Sequence, residues 1–154
     1  DLIAAKAETG SVTGYGRGRS ITNEALFAAP CDILVPAARP DCIHEGNVES
    51  IQARLILEGA NIPATSPAEA RLHERGVLVV PDFIANAGGV ICASAEFHGG
   101  SEQQALREIV DKIGRNTGAV LDASRAHGVV PRDAAVRLAR ERVQQAMSFR
   151  RRWV

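Results

Sequence analysis

The stretch Val77-Leu78-Val79-Val80-Pro81-Asp82-Phe83-Ile84-Ala85-Asn86-Ala87-Gly88-Gly89-Val90 decides the fold class. Its first four residues are apolar at consecutive positions rather than alternating, the pattern of a strand covered on both faces, as in a parallel sheet. Two similar runs precede it, Ile33-Leu34-Val35 and Leu55-Ile56-Leu57. The three recur about 22 residues apart, and parallel neighbours need a crossover of a dozen or more residues. The spacing therefore predicts an α/β fold of two βαβ units, with short parallel strands near 33–36, 55–57 and 77–80.

The second crossover carries a helix signal: Ser66 as cap, Pro67 at the first helical position and Glu69 in the first turn, with Gly76 as the stop. In the first crossover Val48, Ile51 and Leu55 are spaced for one face of a short helix after the turn-like Glu45-Gly46-Asn47. Thr22 caps a short helix running to about Ala28, and the glycine- and arginine-rich stretch from Gly10 to Arg19 reads as a loop. Beyond Gly99-Gly100 the pattern is helical alone. Ser101 and Gln104 form a capping box, and Leu106, Ile109, Val110, Ile113, Val120 and Leu121 keep a 3.6-residue period to Gly128. A last helix begins near Pro131, with Val136, Ala139, Val143 and Met147 on its apolar face and Arg137, Arg140 and Arg142 opposite.

Composition bounds the partners. The chain has 154 residues, 45% hydrophobic and 23% charged, with 18 basic residues balancing 18 acidic ones. That is enough for one domain with a core, and it supplies no bulk attraction to nucleic acid or membrane. Neither class of partner is expected. Cys31, Cys42 and Cys92 are odd in number and contain no pair at zinc-knuckle or redox spacing, which points to a reducing, cytoplasmic compartment. The chain begins on Asp1 rather than Met, so a longer parent is expected.

In an open α/β sheet, ligands sit beyond the carboxyl ends of the strands. There the sequence places Pro36-Ala37-Ala38, Glu58-Gly59-Ala60-Asn61 and Pro81-Asp82 leading to Asn86-Ala87-Gly88-Gly89. These segments are small or carry amides, so a ligand can approach the backbone while two carboxamides offer donors and acceptors. Two glycines in the first turn of a helix each cost about 1 kcal/mol against alanine. A ligand against bare backbone and close packing within the chain account for them equally well. Asn61 and Asn86 singly suit turn formation, and their common place at the ligand edge favours binding.

Cys31-Asp32-Ile33-Leu34-Val35-Pro36-Ala37-Ala38, Glu58-Gly59-Ala60-Asn61 and Val80-Pro81-Asp82-Phe83-Ile84-Ala85-Asn86-Ala87-Gly88-Gly89-Val90, in that order and spacing, resemble the C-terminal half of the nucleotide-binding domain of glutamate dehydrogenase and its leucine, phenylalanine and valine dehydrogenase relatives. The resemblance runs from about Asp1 to Gly100, with a family-like helical tail at 101–154 behind it. It implies a single domain that is a partial Rossmann-like three-layer sandwich, followed by C-terminal helices. It also implies oxidative deamination of an L-amino acid to a 2-oxo acid and ammonia, with NAD or NADP as cofactor. Pro36, Ala37 and Ala38 would border the nicotinamide side, Asn61 and Asn86 would contact the nicotinamide riboside, and Val90 and Ala93 would line the pocket for the substrate side chain.

Where the chain departs from the family, the departures are informative. A G-x-G-x-x-G turn between a strand and a helix, with its ribose-binding acidic residue, is expected upstream of these 154 residues. Gly14-Tyr15-Gly16-Arg17-Gly18 has the wrong spacing for it and follows no apolar strand. The family's catalytic lysine and aspartate belong to a separate N-terminal domain, so no catalytic residue is assigned here. The resemblance makes that domain a partner and implies a homo-oligomer for the whole enzyme. Glutamate-specific members carry a serine seven residues after the position of Asn86, where this chain has Ala93. Relaxed preference among amino acids is the expectation.

Other constellations are weak. His44, His73, His98 and His127 are scattered, and no metal is expected. Ser94 lacks the glycines of a nucleophile elbow, and Asp82 with Glu96 suits a cap and a surface charge better than an acid/base pair. A second function class is a stand-alone binding module that uses its arginine-rich end, seven Arg against two acidic residues over 132–154, to hold an acidic partner.

Overall fold

A computed structural model describes residues 1–13 and 15–150, Arg150 by its backbone only. Three parallel strands, β1 (Ile33–Leu34), β2 (Leu55–Leu57) and β3 (Leu78–Val80), form a sheet in the order β1-β2-β3. Register pairs Leu34 with Ile56 and Ile56 with Val79. The expected α/β class, with a short parallel sheet and C-terminal helices, is what forms. Consecutive burial holds for β3 and for the centre of β2, where Ile56 is fully buried. It does not hold for β1, which ends at Leu34; Ile33 and Val35 stay more than half exposed because β1 is an edge of this sheet.

Helices α1 (Leu2–Thr9) and α2 (Asn23–Phe27) precede the sheet. Thr22 caps α2 through the Ala25 amide, as its sequence position suggests. No sequence signal marks α1, which Asp1 caps and which buries nothing. The expected helix in the first crossover is a single 3-10 turn, Val48–Ser50, with Ile51 already extended. Val48 and Ile51 are buried as their spacing requires, but the backbone is drawn elsewhere. The Asn47 carboxamide bonds the His44 amide and the Cys42 carbonyl, and the Arg75 guanidinium takes the Val48 and Ile51 carbonyls that a helix would need.

The second crossover is α3 (Ser66–Glu74). Its cap is Thr65, whose hydroxyl accepts from the Ala68 amide, so Ser66 is already helical. Gly76 ends the turn at φ +75°. α3 buries Ala68 and Leu72 against β3, and with Ile43, Ile51, Ile56 and Val79 they make the main core. After β3 come α4 (Asp82–Ala85), α5 (Gly88–Phe97), α6 (Glu102–His127) and α7 (Pro131–Arg150). Ser101 caps α6 and Gly128, at φ +64°, closes it. The turn there sends α7 back along α6, where Val120, Ala134 and Ala135 form a second core under Ile84. α7 also reaches β3, which brings the C-terminal helix under the carboxyl edge of the sheet.

Candidate functional site

The loops leaving β1 and β2 lie side by side. The Ala60 amide donates to the Pro36 carbonyl at 2.9 Å. A Cβ on Gly59 would stand 3.0 Å from the Ala37 Cβ and 3.4 Å from its Cα, so a side chain there would force Ala37 to give way by a few tenths of an ångström. Pro36, Ala37 and Ala38 form one wall of a largely apolar groove of about 510 Å³, whose other wall is α2 through Leu26 and Phe27. Pro36 is buried, whereas Ala37 and Ala38 are open to solvent.

The two asparagines come together. Asn86 Nδ2 donates to Asn61 Oδ1 at 2.8 Å and lies 3.4 Å from the Gly59 carbonyl. Both backbones are held through Asp82. Asn86 closes α4 with its amide on the Asp82 carbonyl at 2.7 Å. Asn61 precedes Ile62, which is held at φ +47°, a conformation that β-branched residues rarely adopt and that costs about 1–3 kcal/mol. Two bonds keep it there: its amide donates to Asp82 Oδ2 at 2.8 Å, and its carbonyl accepts from the Asp41 amide at 2.9 Å.

Beneath this pair is a buried charge cluster. Arg132, at the start of α7, donates from Nε to Glu69 at 2.7 Å, from Nη1 to Asp82 at 2.9 Å and from Nη2 to Glu58 at 2.7 Å. Its guanidinium also faces the Phe83 ring, 5.7 Å from the centroid. Glu58 is fully buried, and its Oε2 additionally accepts from the Asp82 amide. Three carboxylates share one guanidinium. Burial and then the neighbouring Glu69 charge push the Glu58 carboxyl up to about 8, against the pull of Arg132. A proton on Glu58 relieves the excess charge and gives the cluster a donor; among the described residues, Glu58 Oε1 is a buried side-chain oxygen without a hydrogen bond. Burial opposes ionisation of Asp82 too, but the Ile62 and Phe83 amides and Arg132 together hold its carboxyl below the usual range.

α5 presents the remaining residues. Val90 is 76% exposed and Ala93 is exposed, on the same side of the helix as Phe97, three and seven residues on. A pocket built on them needs a further wall. Gly88 would meet Ile109 at an ordinary 3.7 Å if it carried a Cβ, and Gly89 would meet nothing within 4 Å. Neither has positive φ, so close packing within these residues does not account for Gly89. Asp82 is turned inward rather than capping α4, and Glu96 is a surface residue on α5, so they form no pair. No group of His, Cys, Asp and Glu suited to a metal occurs among the described residues, and all three cysteines are free. No helix is long and apolar enough to cross a membrane among those residues. The glycine-rich segment around Gly14 and the arginines at 151 and 152 fall wholly or partly outside the described residues.

The model of the glutamate/leucine/phenylalanine/valine dehydrogenase family matches residues 1–151. The chain belongs to this family. Among curated relatives, the glutamate dehydrogenase of Aeropyrum pernix is 40% identical over 161 residues, covering 97% of the chain and 38% of the relative. The NADP-specific glutamate dehydrogenase of Saccharolobus shibatae is 38% identical over 150 residues, 92% of the chain and 36% of the relative. Among solved structures, the hetero-hexameric glutamate dehydrogenase of Thermus thermophilus in its leucine-bound form superposes with a TM-score of 0.81 at 26% identity, over 97% of the chain and 36% of that chain. The chain thus spans under two fifths of the length of these relatives.

Glu58, Glu69 and Arg132 form a buried cluster beneath the candidate site that sequence reasoning missed. Glu69 had a signal, since it shares the buried side of α3 with Ala68 and Leu72 and is a carboxylate where the pattern asks for an apolar residue. Arg132 had none; it is one arginine of an arginine-rich helix, and its partners lie 50 to 74 residues away.

Proposed function

We propose that this chain is the nicotinamide-side half of the cofactor site, and a wall of the substrate pocket, in an NAD- or NADP-dependent L-amino-acid dehydrogenase of this family, acting on glutamate or a related amino acid. The reading is carried by the 2.8 Å bond between the Asn61 and Asn86 carboxamides at the carboxyl edge of the sheet. That bond spends one donor and one acceptor. It leaves the Asn61 amide hydrogens and the Asn86 carbonyl oxygen without partners among the described residues, poised for a riboside or carboxamide. The residues therefore fit the cofactor. The nicotinamide group, when bound, supplies the hydride acceptor for oxidative deamination. Pro36, Ala37 and Ala38 offer it a small, apolar flank, and Gly89 leaves backbone bare beside it. Val90 and Ala93 shape the space for the substrate side chain, covered by the family's N-terminal domain. Proton transfer is assigned to that domain.

The test is Asn86→Ala in the complete enzyme. Loss of a hydrogen bond to a neutral group weakens binding by about 0.5–1.5 kcal/mol, or roughly 2- to 12-fold. Cofactor affinity, measured by NAD(P)H fluorescence, and turnover are expected to fall together. Constants within twofold of the parent's would reduce Asn86 to a turn residue.

A further inference from the structure

We infer that Arg132 is a positioning residue for the Asn61–Asn86 pair, acting from the C-terminal helix through Asp82 and Glu58. The significance of the pair for cofactor rests on the function proposed above. The mechanical claim rests on geometry alone.

One guanidinium spans three elements: the turn after β2 through Glu58, α3 through Glu69 and the start of α4 through Asp82. Asp82 then reaches both asparagines. Its Oδ2 holds the Ile62 amide beside Asn61, and its backbone carbonyl holds the Asn86 amide. Glu58 completes the ring by fixing the Asp82 amide at 2.9 Å. Asp82 Oδ1 is given to Arg132 and Oδ2 to Ile62, so the carboxylate plane, and with it the strained Ile62 backbone, is set by where α7 puts its guanidinium. The side chain of Arg132 is 22% exposed while those of its three partners are buried, so water competes little for these bonds. Lysine has a single ammonium and cannot reproduce a planar fork aimed at three carboxylates.

The experiment compares Arg132→Lys with Val120→Ala, which thins the core between α6 and α7 without touching the cluster, in the complete enzyme. The first readout needs no cofactor: hydrogen exchange at the Ile62 amide, resolved by NMR or by peptide mass spectrometry. Exchange at least about tenfold faster in Arg132→Lys than in Val120→Ala, at matched melting temperature, is expected. Equal exchange in the two variants overturns the inference. The second readout is the dissociation constant for NADH or NADPH in parent and Asn86→Ala backgrounds. Arg132→Lys is expected to raise it about fivefold or more in the parent and less than about twofold when Asn86 is already alanine. A fivefold rise in both backgrounds shows that Arg132 acts by another route and sinks the coupling. Should Asn86→Ala leave the constant unchanged while Ile62 exchange still accelerates in Arg132→Lys, the cofactor reading of the pair fails and the positioning role stands.

Discussion

Glu58→Gln isolates the proton that the buried cluster holds. In the parent, burial and the Glu69 charge raise the Glu58 carboxyl from 4.5 to about 8. The unfolded chain binds no proton there between those limits and the folded chain binds one, so stability falls as pH rises from about 4.5 to about 8 and is flat above. Each unit is worth about 1.4 kcal/mol, which sets a ceiling of roughly 4–5 kcal/mol on the total loss. Relaxation of Arg132 lowers it, and a loss of at least about 1 kcal/mol is expected. Asp82 works on the other side: its carboxyl is held low, so its contribution is present above its ordinary 3.8 and is lost only as pH falls below that. Glutamine keeps the shape of protonated Glu58, with an oxygen for Arg132 and the Asp82 amide and an amide donor toward Glu69. It cannot ionise. The assay is urea unfolding of parent and variant between pH 5 and 9, where the difference between the two curves cancels the titrations that Glu58 does not influence. The parent should lose ground to the variant from pH 5 to about 8 and hold level above that, and Glu58→Gln should be the more stable protein at pH 9. A difference that changes by less than ~0.5 kcal/mol across the range would show that Glu58 is ionised throughout and that the charge excess is relieved in another way.

Gly59→Ala is expected to cost about 1–3 kcal/mol by overpacking, since the new Cβ lies 3.0 Å from the Ala37 Cβ, whereas Gly89→Ala, with nothing within 4 Å, should gain up to ~1 kcal/mol of helix stability while weakening cofactor binding. Denaturant midpoints and cofactor titrations that treat the two glycines alike would contradict this. Ala93→Ser in the complete enzyme should raise catalytic efficiency for glutamate relative to leucine by about 10- to 150-fold, the worth of a hydrogen bond to a charged carboxylate. An unchanged ratio would leave Ala93 as a packing residue and place specificity elsewhere.

The sheet was legible because its evidence is local. Three apolar runs at even spacing define strands without reference to anything distant, and Thr22, Ser101, Gly128 and Pro131 mark helix ends through bonds within a turn. Asn61 and Asn86 were found the same way, by place after a strand, and the structure joins them across 25 residues. What failed was non-local. Val48 and Ile51 were read correctly as buried, but Arg75, 24 to 27 residues away, takes the carbonyls that would have made their helix. Glu58 reads in sequence as part of a small-residue loop, and only the arrival of α7 reveals it as fully buried. The arginine-rich helix invited a reading as a surface for acidic partners. Its first arginine is instead consumed inside the chain by three carboxylates, which leaves that reading one cation fewer to work with.

The nature of the cluster bears on what it is for. Replacing a buried ion network by well-packed apolar residues is often neutral or stabilising, because desolvation offsets the attraction between the charges. Stability alone is thus a poor reason for one guanidinium and three carboxylates between α7 and the sheet edge. Apolar contacts are non-directional, however, and would let α4 and the turn after β2 settle at any spacing that fills the volume. The Ile62 backbone does not tolerate that latitude, since its φ of +47° survives only where specific bonds over-determine it. Asp82 supplies one of those bonds and Arg132 fixes Asp82. The charge is therefore placed where direction matters, directly under the two carboxamides joined at 2.8 Å, the pair proposed to hold the cofactor.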